Sequence, residues 1–159
     1  MGEGQTISQP YIVAYMTEAL KLEADDRVLE VGTGSGYQAA LLSVMAADVY
    51  TIEIVESLAE DARETLERLG YGNVHVLVGD GYRGWPDEGP FDGIIVTCAP
   101  DHVPRPLLDQ LAEGGRLVIP LGGQYPQMLK RFTRRGETFE EEDLEPVLFV
   151  PMTGEAQER

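Results

Sequence analysis

The segment that most constrains this chain is Val28-Leu-Glu-Val-Gly-Thr-Gly-Ser-Gly36. An apolar run from Arg27 to Val31 reads as a buried strand, and it feeds directly into three glycines at alternate positions. The Ala- and Leu-rich stretch from Tyr37 to Ala47 reads as the helix that leaves them. A strand, a glycine-rich turn and a helix in this order let the backbone approach a ligand closely and aim the unpaired N–H groups of the helix start at it. The same residues also suit a tight strand-to-helix turn that holds nothing. The dinucleotide form of the turn is spaced G-x-G-x-x-G. Here the spacing is G-x-G-x-G, and Glu30 stands two residues before the first glycine. A carboxylate facing that cleft repels a pyrophosphate and suits the cationic amino group of an amino-acid moiety. Spacing and Glu30 together make a nicotinamide dehydrogenase the poorest fit.

The rest of the chain extends the pattern. A helix is predicted from about Ser8 to Leu22, with Ser8 as N-cap and Pro10 in the first turn. Further strands are predicted at Asp48–Glu53, Val74–Val78, Phe91–Val96 and Arg116–Leu121. Helices are predicted between them at Val55–Leu69 and Pro104–Leu111, the latter ended by Gly114-Gly115. Strand–helix–strand repetition of this kind implies an α/β fold, a doubly wound, mostly parallel sheet. Beyond it, Gln127–Arg135 and Glu145–Val150 read as an antiparallel hairpin at one sheet edge, joined by an acidic loop over Gly136–Asp143. Thr153–Arg159 reads as a polar tail, and the whole of 1–159 as one domain.

Two other positions fall at carboxyl ends of predicted strands, where open α/β sheets bind ligands. Glu53 ends the second strand and can accept hydrogen bonds from both hydroxyls of a ribose, although a solvated carboxylate is the ordinary alternative. Asp80, between Gly79 and Gly81, can receive an adenine amino group, or simply favour a turn. One ligand with an amino-acid tail, a ribose and an adenine but no phosphate satisfies all three features, and S-adenosyl-L-methionine is such a ligand. His75 and His102 make no metal pattern with each other or with Cys98, so no metal is expected; Trp85 reads as a loop anchor and Cys98 as an inert core thiol.

The chain also resembles the protein-L-isoaspartate O-methyltransferases over Gly4 to Met152. The resemblance rests on Gly4-Gln-Thr-Ile-Ser-Gln-Pro10, Leu29–Tyr37, Gly79-Asp-Gly81, Phe91–Thr97, Leu111–Pro120 and Phe149-Val-Pro-Met152. The first segment is the most specific, because methyltransferases in general lack it. The resemblance implies the class I methyltransferase sheet, Rossmann-like, and methyl transfer from S-adenosyl-L-methionine to the α-carboxylate of L-isoaspartyl residues. S-adenosyl-L-homocysteine is then the product, and the ester cyclises to a succinimide that partly reopens as aspartate. It implies Ser8 as the active-site residue, Thr6, Ile7 and Val150 at the substrate, and a cofactor site of Glu30, Gly32, Thr33, Gly34, Ser35, Gly36, Glu53, Ile54, Asp80, Gly81 and Thr97. Two alternatives remain: a class I methyltransferase acting on a small molecule, which leaves Gly4–Pro10 unexplained, and a cofactor-binding core without turnover. Members usually carry several dozen residues before the Gln-Thr-Ile-Ser segment, whereas this chain opens at it. From that follow a less completely walled cleft, a Ser8 near a fraying terminus and an apolar patch able to support a weak homodimer in place of a monomer.

Charge narrows the partners. Acidic residues number 28 against 12 basic ones, a net charge of −16. A surface so negative repels nucleic acid. Only Lys21 and Lys130 are lysines, a balance found in proteins adapted to high salt and also in ordinary acidic proteins. No apolar run approaches the roughly 18–20 residues of a membrane span. No signal segment opens the chain, and a lone cysteine agrees with a reducing compartment. The expected partners are isoaspartyl-containing proteins and peptides, with no membrane, in a cytoplasmic setting.

Overall fold

In the computed structural model, residues 10–122 and 126–158 are described. The elements are α1 (Pro10–Leu20), β1 (Arg27–Val31), α2 (Tyr37–Ser43), β2 (Asp48–Glu53), α3 (Glu56–Arg68), β3 (Val74–Val78), β4 (Phe91–Val96), α4 (Arg105–Asp109), β5 (Leu111–Leu121), β6 (Gln127–Arg135) and β7 (Thr138–Val147). They build one seven-stranded sheet in the order β3-β2-β1-β4-β5-β6-β7. The first five strands are parallel, and β6 and β7 close the sheet as an antiparallel hairpin. This is the class I methyltransferase type of sheet. No helix among the described residues is long and apolar enough to cross a membrane.

Alternation along the strands sends side chains to two cores. Val28, Val49, Ile95 and Val118 pack with Met16 and Leu20 of α1, Ala39 and Leu42 of α2 and Leu66 of α3. Leu29, Val31, Ile52, Ile94, Val96, Leu117 and Ile119 face the other way. Among the described residues, the α-helix on that second face is the five-residue α4. The rest of its cover comes from Tyr82, Trp85 and the chain end at Met152 and Ala156. Trp85 sits edge-on to Tyr50, so it anchors its loop as expected.

Three of the differences from the sequence reading have a physical reason in the structure. Strand β5 starts five residues early, at Leu111, because Leu111 pairs with Phe91 before a bulge brings Arg116 opposite Gly93. Gly114-Gly115 therefore sit inside the bulged strand rather than ending a helix. The acidic stretch is not a loop: the hairpin turns at Gly136-Glu137 and Glu140–Asp143 lie within β7. Opposite charges across the ladder make this possible. Lys130 meets Glu141 and Asp143, Arg131 grips Glu142 with two bonds of 2.9 and 3.0 Å, and Arg135 meets Glu140. Arg131 also donates to the carbonyl of Ala19 at 3.0 Å, which caps the C-terminal end of α1. Finally, the supposed polar tail is docked: Ala156 is buried, and a 3-10 turn spans Gly154–Gln157.

Candidate active site

The strand order places the ends of β3, β2, β1 and β4 side by side. A cavity of about 740 Å³ opens there, walled on the far side by residues 146–153. That is within the usual range for a small-molecule site. Its floor is the glycine turn. Gly32 has φ +98, and a Cβ on it would stand 2.5 Å from Oγ1 of Thr97. The Thr97 hydroxyl lies 3.0 Å from the carbonyls of both Val31 and Gly32. The strand end, the turn and the end of β4 are thus locked together where only a glycine fits.

Two carboxylates are built into the floor. Glu30 is opposite Thr51 in the β1–β2 register and is fully buried. Its Oε1 accepts the Thr51 hydroxyl at 2.6 Å, and Thr51 Oγ1 lies 2.6 Å from Thr33 Oγ1. With the Thr51 proton committed to Glu30, Thr33 must donate to Thr51, so a short relay of hydroxyls points at the carboxylate. Oε2 of Glu30 is the buried side-chain polar atom without a partner among the described residues. Burial, with the neighbouring Glu53 charge adding to it against the Thr51 bond, raises the Glu30 carboxyl to about 8. Glu53 accepts from the N–H of Gly34 at 2.9 Å and of Val55 at 3.0 Å, which fixes both the glycine turn and the entry to α3. A floor of this kind disfavours phosphate and favours a cation and hydroxyls.

The cavity brings together most residues singled out from the sequence. Glu30, Gly32, Thr33, Gly34 and Ser35 line it from the glycine turn; Glu53 and Ile54 line it from the end of β2. Gly81, Thr97 and Val150 line it as well. Gly36 and Asp80 are not on the lining. Gly36 begins α2 at φ +89, with Leu66 and Ala62 of α3 under it. Thr6, Ile7 and Ser8 lie outside the described residues. The helix they lead into does reach the site, since Ile12 and Val13 of α1 are on its wall.

Several lining residues were not identified from sequence. Gln38 of α2 is buried and donates to Thr17 Oγ1 at 2.7 Å, joining α2 to α1 beside the cavity. A polar residue in the first turn of an otherwise apolar helix was the available signal. Thr51, off the lining, is a buried polar residue in a strand that bonds the lining residues Glu30 and Thr33. Cys98 also faces the cavity; burial, then the charges of Glu53 and Asp80, push its thiol to about 12, so it is not a nucleophile at neutral pH. The stretch from Pro146 to Thr153 also lines the cavity, although of its residues only Val150 is named as a site residue from the sequence. It is held by Gln127, whose buried amide accepts the Phe149 N–H at 2.7 Å and donates to its carbonyl at 3.0 Å. The backbone of Ala99 holds it too, bonding Val150 and Met152.

Comparison with known proteins agrees with this geometry. The family model described as protein-L-isoaspartate(D-aspartate) O-methyltransferase matches residues 1–157. A protein-L-isoaspartate O-methyltransferase 2 of Shewanella sediminis is 58% identical over 157 residues, covering 98% of this chain and 64% of that protein. A protein-L-isoaspartate O-methyltransferase of Desulfotalea psychrophila is 57% identical, over 96% of this chain and 71% of its own. The chain therefore spans about two thirds of the length of these relatives. Among solved structures, a protein-L-isoaspartate O-methyltransferase superposes with a TM-score of 0.90 at 34% identity, over 97% of this chain and 50% of that one. A putative member from Plasmodium falciparum, in complex with S-adenosyl-L-homocysteine, gives 0.81 at 28% identity, over 96% and 78%.

Proposed function

Because the chain belongs to the protein-L-isoaspartate(D-aspartate) O-methyltransferase family, we propose that it methylates the α-carboxylate of L-isoaspartyl residues in damaged proteins and peptides, with S-adenosyl-L-methionine as donor and S-adenosyl-L-homocysteine as product. The observation that carries the reading is the orphaned Oε2 of Glu30 at the floor of a cavity whose polar groups reject phosphate. A cationic amino group satisfies that oxygen and offsets the burial of its charge. The Glu53 carboxylate, at the end of β2, is suited to ribose hydroxyls, and Gly32, Thr33, Gly34, Ser35, Ile54, Gly81 and Thr97 supply close backbone and wall.

When bound, the cofactor supplies an electrophilic methyl group on a cationic sulfur. The substrate carboxylate is already ionised at neutral pH, with a reference value of about 3.9 for an aspartyl side chain, so the chain needs no general base. Its work is to align one carboxylate oxygen with the methyl carbon and to exclude water, and orientation of that kind accounts for several kcal/mol, at best about 7–11. With the donor bound, the substrate oxygen would take the methyl group as the carbon–sulfur bond breaks with its electron pair left on sulfur, so no residue of the chain has a proton to transfer. We assign orientation to the hydroxyl of Ser8, a hydrogen-bond donor two residues ahead of α1 in the sequence, and assign Thr6, Ile7 and the cavity-lining Val150 to the substrate. The apolar rim suits a peptide: Tyr37, Ile54 and Leu148 line the cavity yet are 57%, 43% and 73% exposed. The net charge of −16 weighs against nucleic-acid substrates. We place the protein in the cytoplasm, acting on isoaspartyl-containing chains as a single domain, monomeric or weakly dimeric.

The test separates binding from turnover. Ser8→Ala is expected to bind S-adenosyl-L-homocysteine with wild-type affinity while its kcat on an isoaspartyl peptide drops about 10–100-fold, the scale of one lost orienting hydrogen bond. Wild-type turnover in that variant would remove Ser8 from the mechanism.

A further inference from the structure

Asp80 stands at the end of β3 with two neighbours that explain it better than a ligand does. Its Oδ1 accepts the N–H of Tyr82 at 3.0 Å, and its Oδ2 accepts the N–H of Glu155, 75 residues later, at 2.7 Å. The chain reaches Glu155 by crossing the carboxyl edge of the sheet, pinned first to Gln127 and then to Ala99. Around the contact, Arg83 Nε pairs with Glu155 at 2.8 Å, and Met152 and Ala156 are 4% and 5% exposed. Gly154 meets two separate demands there: its φ is +83, and a Cβ on it would lie 2.6 Å from Asp80 Oδ2. Asp80 itself is off the cavity lining, whereas Gly81, Met152, Thr153 and Gln157 are on it.

We infer that Asp80 is a positioning residue for the cofactor site: its carboxylate docks the turn Gly154–Gln157, and the docked turn closes the β3 end of the cavity, presenting Met152, Thr153 and Gln157 to the ligand. That wall, with a thioether, a hydroxyl and a carboxamide, suits a flat neutral heterocycle such as adenine. The inference rests on the proposed cofactor reading. It differs from direct recognition of the adenine amino group by Asp80, the role expected from sequence.

A double-mutant cycle with Asp80→Ala and Gly154→Ala in the full chain tests it, because Gly154→Ala perturbs the same contact from the turn's own side, by a methyl pressed against the Asp80 carboxylate. Calorimetry uses S-adenosyl-L-homocysteine as probe, and hydrogen exchange follows residues 153–158. Each single change is expected to weaken binding about tenfold or more, to speed exchange in the turn while leaving that of β1 and β4 unchanged, and to raise KM for S-adenosyl-L-methionine with little change in kcat. The double variant should bind no worse than the weaker single one, because both remove the same docking. If Asp80→Ala does not fold, Gly154→Ala alone still reads the docking. Multiplied losses in the double variant, or a neutral Gly154→Ala, would overturn the inference and give Asp80 to the ligand. Unchanged exchange in the turn would overturn it as well. A wild-type chain that fails to bind the probe contradicts the cofactor reading instead, and its own isotherm tells the two failures apart; exchange then still decides whether Asp80 docks the turn.

Discussion

Replacing Glu30 with Gln is expected to stabilise the free protein at alkaline pH and to weaken its hold on the cofactor. In the free protein burial keeps the carboxyl protonated up to about 8, against 4.5 for the ordinary group. A raised value in the folded state means that the stability linked to this group is fully present below about pH 4.5, declines as pH rises, and is lost once pH passes about 8. At about 1.36 kcal/mol per pH unit the full window amounts to roughly 5 kcal/mol. A glutamine of the same shape carries no proton to lose. Thermal melts should therefore nearly coincide at pH 5 and separate by about 3–5 kcal/mol in favour of Glu30→Gln at pH 9. Binding runs the other way. A cationic ligand must meet the ionised form, so association near pH 7 releases close to one proton and tightens as pH rises toward 8. Glu30→Gln should lose that pH dependence and bind about 10–100-fold more weakly at pH 8, the scale of a charge-assisted hydrogen bond. Calorimetry in two buffers of different ionisation enthalpy reads the proton. Equal melts at pH 9 would show that Glu30 is not held protonated.

The second large effect is expected at Gly32. Alanine there must adopt φ +98 and press its Cβ to within 2.5 Å of Thr97 Oγ1. The backbone strain costs about 1–3 kcal/mol. Displacing a hydroxyl that bridges two carbonyls adds about 1–2 kcal/mol. Gly32→Ala should therefore lower Tm by about 5–15 °C and weaken cofactor binding, because the floor of the cavity shifts. Gly70→Ala is the control: φ is +86, but nothing lies within 4 Å of the added atom, so only strain remains. Adding Thr97→Ala to Gly32→Ala should recover the contact share and leave a loss like that of Gly70→Ala. A Gly32→Ala protein as stable as wild type would mean that the turn relaxes freely and does not lock β1 to β4.

The legible parts of the molecule were those whose physics is local. Apolar runs marked β1 to β4, glycines at Gly32 and Gly79 marked the ends of β1 and β3, and the alternate glycines marked the turn. The carboxyl-end positions of Glu30 and Glu53 followed from strand and helix order alone. The less legible parts depend on partners distant in sequence. Glu140–Asp143 read as a solvated loop because nothing nearby shows that Lys130 and Arg131 lie opposite them. The first residues of β5 were hidden because Leu111 finds Phe91 across a bulge. The chain end read as a tail because its anchor, Asp80, lies 75 residues upstream. Asp80 was singled out for an adenine amino group, yet its observed partners are backbone N–H groups of Tyr82 and Glu155.

The most direct test of the central claim is transfer of labelled methyl groups from S-adenosyl-L-methionine to an isoaspartyl peptide, beside the same peptide with normal aspartate, in low and high salt. The account predicts selective, base-labile labelling of the isoaspartyl peptide, with S-adenosyl-L-homocysteine formed in equal amount. No labelling of either peptide at either salt, by a chain that binds S-adenosyl-L-homocysteine, would contradict the claim of turnover and leave a cofactor-binding core.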